Sequence, residues 1–167
     1  AYIEQHQQFA HTLLPFKTDG PLPGIVQEMI DAGIKADVGP MAAVAGMVAE
    51  YTGLALLKKS PEVVVENGGD IFIRSDSETV FSIFAGDSPF SMVTGIRIKK
   101  REAPYGLCTS SGTVGHSKSF GNADAVCVLS DSCPLADAAA TSLGNQVKSN
   151  KDIQSTVEKG SSIPGIQ

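Results

Sequence analysis

Residues 106–145, GLCTSSGTVGHSKSFGNADAVCVLSDSCPLADAAATSLGN, decide how this chain is read. They hold the only histidine outside the N-terminal segment, His116, and all three cysteines, Cys108, Cys127 and Cys133. Residues 106–122 offer little that could build a core and much that could hydrogen-bond. A loop that long inside a compact domain is a functional segment or a disordered one. Residues 123–129 then alternate as a buried strand and anchor the far end of the loop. From Pro134 to about Val147 the pattern is helical, with Asp131 and Ser132 placed just ahead and Pro134 suited to the first turn. The expectation is a long site-bearing loop, a strand, and a helix that carries Asp137 and Thr141.

Working outward, 167 residues are enough for one domain with a single sizeable core. The formal net charge is −5, and no basic run exceeds Lys99-Lys100-Arg101. That disfavours a general nucleic-acid binder, which shows a clustered basic face. An anionic small ligand is still admissible, because backbone amides can hold phosphate without net positive charge. No apolar run reaches the roughly 18–20 residues of a membrane span, so no membrane partner is expected. The cysteines lack CxxC spacing and are odd in number, which points to reduced thiols and a cytoplasmic protein. Cys127 is expected to be a small core residue, and a Cys127–Cys133 disulfide stays open on spacing alone. The chain begins without Met in an already helical pattern, and we expect it to be a fragment of its full domain.

Along the chain, 1–14 read as an amphipathic helix, 17–23 as a linker, and 24–35 as a second helix. Pro40 starts a third, 41–57, apolar on nearly every side apart from Glu50 and Thr52. Such a helix is buried. Beyond Pro61 the period changes, with strands expected at 63–65, 71–74, 80–84, 92–100 and 123–129. A short polar helix is expected at 152–158. Helices, then partly antiparallel strands, then a helix give an α+β fold.

Three groups of residues could carry chemistry. The Asn67-Gly68-Gly69-Asp70 turn has two glycines that permit positive φ and bring backbone amides close to a ligand; a plain β-turn uses the same residues. Asp137 and Thr141 stand i, i+4 on one helix face, separated only by alanines. A carboxylate and a hydroxyl so placed suit a hard cation such as Mg²⁺, which takes one or two protein oxygens plus phosphate and water. The alternative is that Asp137 answers its helix dipole and Thr141 bonds back to a carbonyl. His116, beside Ser117, could be a general base or phosphate ligand, or a plain surface histidine. Thr109, Ser110, Ser111, Gly112 and Thr113 offer hydroxyls and amides as in a phosphate-cradling loop, without the P-loop pattern. The setting of His116 is not the GxSxG elbow of a serine hydrolase.

In order along the chain, NGGDI (67–71), TSSG (109–112) and ADAAAT (136–141) resemble the signature strings of the ApbE-type flavin transferases. The closer resemblance is to the UPF0280 branch of that superfamily, through VGPMAAVAG, VENGGDI, CTSSGTVGHSKSFG and ADAAAT. It covers about residues 2–147 and implies a single ApbE-like domain, with a mixed or antiparallel sheet flanked by helices. The transferases bind FAD and Mg²⁺ and transfer FMN to a threonine of an acceptor protein. By that resemblance Asp137 and Thr141 are the metal ligands. Asn67, Gly68, Gly69 and Asp70, with Thr109, Ser110, Ser111, Gly112 and Thr113, line a site for FAD or FMN. The transferases carry a Lys where this chain has Ala45, and His116 and Ser117 belong to the branch.

The expected function is therefore a pocket for a small phosphorylated ligand or flavin nucleotide beside Mg²⁺, with transfer or cleavage at a phosphate linkage. His116 and Ser117 are the candidates for catalysis. The alternative is a non-catalytic module that holds a flavin or other ligand for a redox partner.

Overall fold

The computed structural model describes residues 2–115 and 119–167. Two short helices, α1 (Tyr2–Gln5) and α2 (Gln7–His11), replace the single expected N-terminal helix; they break at His6, whose ring stacks on Tyr2. Helix α3 (Gly24–Ala36) follows, ending in Asp37 at a positive φ of 59°. A 3₁₀ turn at Pro40–Ala43 leads into α4 (Val44–Leu57). Strands β1 (Val63–Asn67), β2 (Asp70–Arg74), β3 (Thr79–Ser82), β4 (Gly95–Ile98), β5 (Tyr105–Ser110) and β6 (Val126–Ser130) come next. The chain closes with α5 (Cys133–Gly144) and α6 (Ile153–Ser162). It is a mixed α/β fold whose strand pairs are all antiparallel.

The main sheet runs β1-β2-β5-β6, and β3-β4 form a separate ribbon. Alternation along β2 sorts the two faces. Asp70 and Phe72 face the helices, while Ile71 and Ile73 face the ribbon. On the helix side the main core gathers Phe72, Cys108, Val128 and Met47 with the apolar residues of α5. On the other side Ile73, Tyr105 and Leu107 meet Ile98 of the ribbon. Helix α5 packs on β5 and β6 beside α4, which covers β1 and β2, with α3 on its outer side, and it is buried almost throughout, from Cys133 to Gly144.

Strand β5 corrects the expected loop at 106–122. The first five residues of that stretch, 106–110, belong to a largely buried strand in the middle of the sheet rather than irregular chain. The apolar signal was missing because α5 leaves no room for large side chains there. A Cβ on Gly106 would lie 2.4 Å from Cys133 Cα. The expected strand at 92–100 shrinks to four residues because Met92 takes a positive φ of 62° and turns the chain.

The helical run Pro40–Leu57 has 18 residues and a mean hydropathy of 1.4, so by length and composition alone it passes as a span, contrary to expectation. Here it is a layer of the fold. Gly46 meets α5 and Gly53 meets the Phe72 ring so closely that neither could carry a Cβ without displacing its neighbour.

Gly106→Ala is expected to destabilise the protein by about 1–3 kcal/mol, the usual cost of overpacking, although alanine gains backbone entropy over glycine. Urea unfolding of the variant checks it. Unchanged stability would mean that α5 does not rest on β5 this closely.

Candidate functional site

The site is built where three distant segments meet. Helix α4 starts without a side-chain cap of its own, so its first amide groups need acceptors from elsewhere. Asp137, in the second turn of α5, supplies one: its Oδ2 accepts the Gly46 N–H at 2.9 Å, across 91 residues. Asn67, the last residue of β1, donates from Nδ2 to the Ala45 carbonyl at 3.1 Å. The peptide between Ala45 and Gly46 is thus clamped from both sides. Glu50 makes the reciprocal link, its Oε2 accepting the Cys133 N–H at 2.6 Å and capping the start of α5. Burial raises the Glu50 pKa.

The two-residue Gly68-Gly69 turn has φ values of 67° and 104°, which suits a tight hairpin and favours glycine at both positions. It sets Asp70 at the start of β2, opposite Cys108 in register and facing Asp137. Both carboxyls are buried. Burial lifts the Asp70 pKa to about 6, against hydrogen bonds from Cys108 and Thr109 that lower it. Asp137 is held well above the ordinary carboxylate value by burial and by the Asp70 charge, against the amides of Gly46 and Ala45. Cys108 and Cys133 lie behind the pair with their sulfurs 3.6 Å apart, both as free thiols.

A cavity of about 740 Å³ opens between the sheet and the ribbon, and a second of about 290 Å³ opens between α2 and the start of α4. Asp70, Asp137 and Thr141 line both, so the acid pair forms the partition between two lobes. Among the described residues neither lobe is lined by Lys or Arg. Nor do three His, Cys, Asp or Glu side chains converge among them as a self-sufficient metal centre.

Of the residues singled out in sequence, Gly68, Gly69, Asp70, Thr109, Ser110, Ser111, Asp137 and Thr141 come together at the large lobe. Asn67, Gly112 and Thr113 are not among its lining. Asn67 holds Ala45, the Gly112 amide donates to Ala123 O at 2.8 Å, and Thr113 Oγ1 donates to Asp124 at 2.9 Å. His116 and Ser117 lie outside the described residues. Cys127 is half-buried at the cavity wall rather than in the core, its sulfur 3.2 Å from Thr109 Oγ1. It faces the ribbon, while Cys133, at the start of α5, packs on the other face of the sheet against Cys108, so the sheet itself separates that pair.

Sequence reading missed the apolar wall of the large lobe, Phe81, Ile83, Phe84 and Ile96. It also missed the lining of the small lobe, which includes His11, Phe120 and Asn145. The alternation of Phe81 with Ile83 signalled one inward face, but nothing local told that this face meets a cavity. Glu50, a lone charge in an apolar helix, was a visible signal of a buried partner.

Comparison with known proteins gives the class. The chain matches the family described as AbpE bacteria over residues 1–162. It belongs to the UPF0280 family. A UPF0280 protein of Methanococcus vannielii is 48% identical over 147 residues, which are 86% of this chain and 60% of that protein. One from Methanococcus maripaludis is 44% identical over 170 residues, 99% of this chain and 69% of that protein. One from Methanocella arvoryzae is 45% identical over 148 residues, 88% of this chain and 60% of that protein. The chain thus spans about 60–69% of the length of these relatives.

The raised pKa of Asp70 has a consequence for stability. A carboxyl that binds its proton more tightly when folded favours folding below its ordinary value of 3.8, and the advantage is lost as pH rises through about 6. Asp70→Asn carries no such charge. The melting temperature of the variant minus that of the wild type, in metal-free buffer, is expected to grow between pH 4 and pH 7. A difference that stays flat would remove Asp70 from the buried pair.

Proposed function

We propose that the two-lobed cavity binds a small phosphorylated ligand, a flavin nucleotide (FAD or FMN) in the first instance, together with Mg²⁺ held by Asp137 and Thr141. On this reading the protein is an ApbE-like member of the flavin transferase superfamily, and its reaction is transfer or cleavage at a phosphate linkage. The observation that carries the reading is the charge of the cavity. It is lined by Glu66, Asp70 and Asp137, and among the described residues by no cationic Lys or Arg side chain. A phosphate entering beside these carboxylates is opposed by their charge, and an accompanying cation relieves that repulsion.

The donor set suits such a cation. Mg²⁺ takes one or two carboxylates, completes its shell with phosphate oxygens and water, and is not held in an all-protein cage. Asp137 offers a carboxylate fixed by the amides of Gly46 and Ala45, with Asp70 facing it and the Thr141 hydroxyl one turn further along α5. When bound, the metal would neutralise charge on the phosphate linkage. The chain's own residues orient the ligand. Thr109, Ser110 and Ser111 border the large lobe beside the acid pair, and the partition separates the two halves of a linked ligand. Four stretches alike to the superfamily strings, near residues 38–46, 66–71, 108–121 and 136–141, contribute to these two lobes, which supports the assignment. Three free thiols suit a reducing compartment, and we place the protein in the cytoplasm.

The test is a titration of the full chain with FAD and FMN, followed by flavin fluorescence, in MgCl₂ and in EDTA. Binding is expected to require Mg²⁺ and to weaken roughly tenfold, or by about 1.4 kcal/mol, in Thr141→Val. That variant keeps the side-chain shape and leaves the Asp137–Gly46 hydrogen bond in place. Flavin binding of equal strength in EDTA would sink the metal assignment. Tight binding without turnover would leave a holder for a redox partner.

A further inference from the structure

The β3–β4 ribbon shares no ladder with the main sheet and is joined to it through side chains. Its two ends differ. At one, Ile98 packs against Ile73, Tyr105 and Leu107 in a closed apolar cluster. At the other, Phe81 and Ile96 pack against the edge of that cluster and also line the open large lobe together with Ile71 and Leu107. Sheets packed face to face lie about 10 Å apart. At the first end side chains fill that spacing, and at the second a cavity is left.

Phe81 and Ile96 are direct cross-strand partners, so they make one continuous apolar surface on the inner face of the ribbon. Phe84 continues the wall toward solvent and is 60% exposed. Apolar surface facing an open cavity contributes little to folding and marks a place where a ligand's apolar body is buried. The acid pair sits at the partition with the small lobe. The large lobe is therefore polar toward the acids and apolar beneath the ribbon.

We propose that the inner face of the β3–β4 ribbon receives the flat, uncharged ring system of the ligand, with Phe81 and Ile96 as the residues that select for it. The proposal rests on the phosphate site of the preceding reading for the other end of the ligand, and not for the ring. A ligand of this shape lies with its ring between ribbon and sheet and its phosphate at the acid pair. Specificity for the ring thus comes from an element that lies outside every UPF0280-like string, between the second and third.

The test uses three probes on the full chain in MgCl₂, followed by calorimetry: FMN, ribose 5-phosphate as a phosphate without the ring, and riboflavin as the ring without a phosphate. Phe81→Ala is expected to bind FMN and riboflavin roughly tenfold more weakly, the order expected for a lost aromatic contact, with ribose 5-phosphate unchanged. Ile96→Ala, on the partner strand, is expected to do the same and guards against a folding defect in the first variant. Equal losses for all three probes, or no loss for FMN and riboflavin, would overturn the ribbon assignment. If the wild type binds neither phosphate, the phosphate site has failed, and riboflavin decides the ring site. Riboflavin binding that falls in Phe81→Ala upholds it, and no riboflavin binding overturns it.

Discussion

The hydrogen bond from the Gly46 amide to Asp137 is the constraint on which the rest of this structure depends. It fixes the start of α4 against the second turn of α5, and it does so with a buried carboxylate. A hydrogen bond to a charged group contributes about 1.5–3 kcal/mol, while an unpaired buried donor costs a similar amount. The raised pKa of Asp137 records the other side of that balance. Asn67 bonds to the same peptide through the Ala45 carbonyl, so the β1–β2 hairpin is tied to the helix start as well. Three segments are thereby brought to one point, and the site is a by-product of how the helices are tied.

Such ties require close approach, which explains the composition of α5. Its alanines, Ala136 and 138–140, let the helix lie close to the sheet and to α3 and α4 along its middle turns. Contacts at Gly46 and Gly106 bring α4 and β5 against its backbone. Close-packed backbone transmits position well, because there are few rotamers to absorb a shift. Asp137 and Thr141 therefore project from a rigid support, as a site for a small ligand demands.

Helical periodicity is strong in 24–35, and α3 follows it closely. The stretch 41–57, apolar on nearly every side, reads as a buried helix, but α4 buries one side and leaves Val48, Tyr51, Leu54 and Leu56 exposed. The central strand β5 was read as loop for a physical reason. Strand signals rest on branched and aromatic residues, and Gly106, Cys108, Thr109 and Ser110 are small because a helix lies on one face and a cavity on the other. The same small residues made the segment look like a site. Thr109, Ser110 and Ser111 do line the large lobe, while Gly112 and Thr113 lie outside its lining and serve the turn. Asp70, Asp137 and Thr141 could be named one at a time, but their convergence is a tertiary fact. No local pattern places the Asp70 carboxyl opposite a helix 67 positions further along the chain. The ribbon wall was invisible for the same reason.

Charge sets the terms for any ligand. The acid pair shares a partition between two cavities, and burial already works against ionising both carboxyls. Placing an anion beside them would deepen that penalty, since like charges in a low-dielectric site repel with little screening. Two arrivals relieve it: protons, which neutralise the pair and leave an anion with no attraction to the site, or a cation, which neutralises the pair and binds the anion as well. Only the second gives an affinity that rises with pH, as the metal displaces protons from the carboxyls; for Asp70 that rise runs through about 6. On the proposed reading, a non-catalytic holder and an enzyme would share this requirement. They would differ in what stands at the partition beside the cation: a linkage with nothing to attack it, or a linkage with an acceptor within reach.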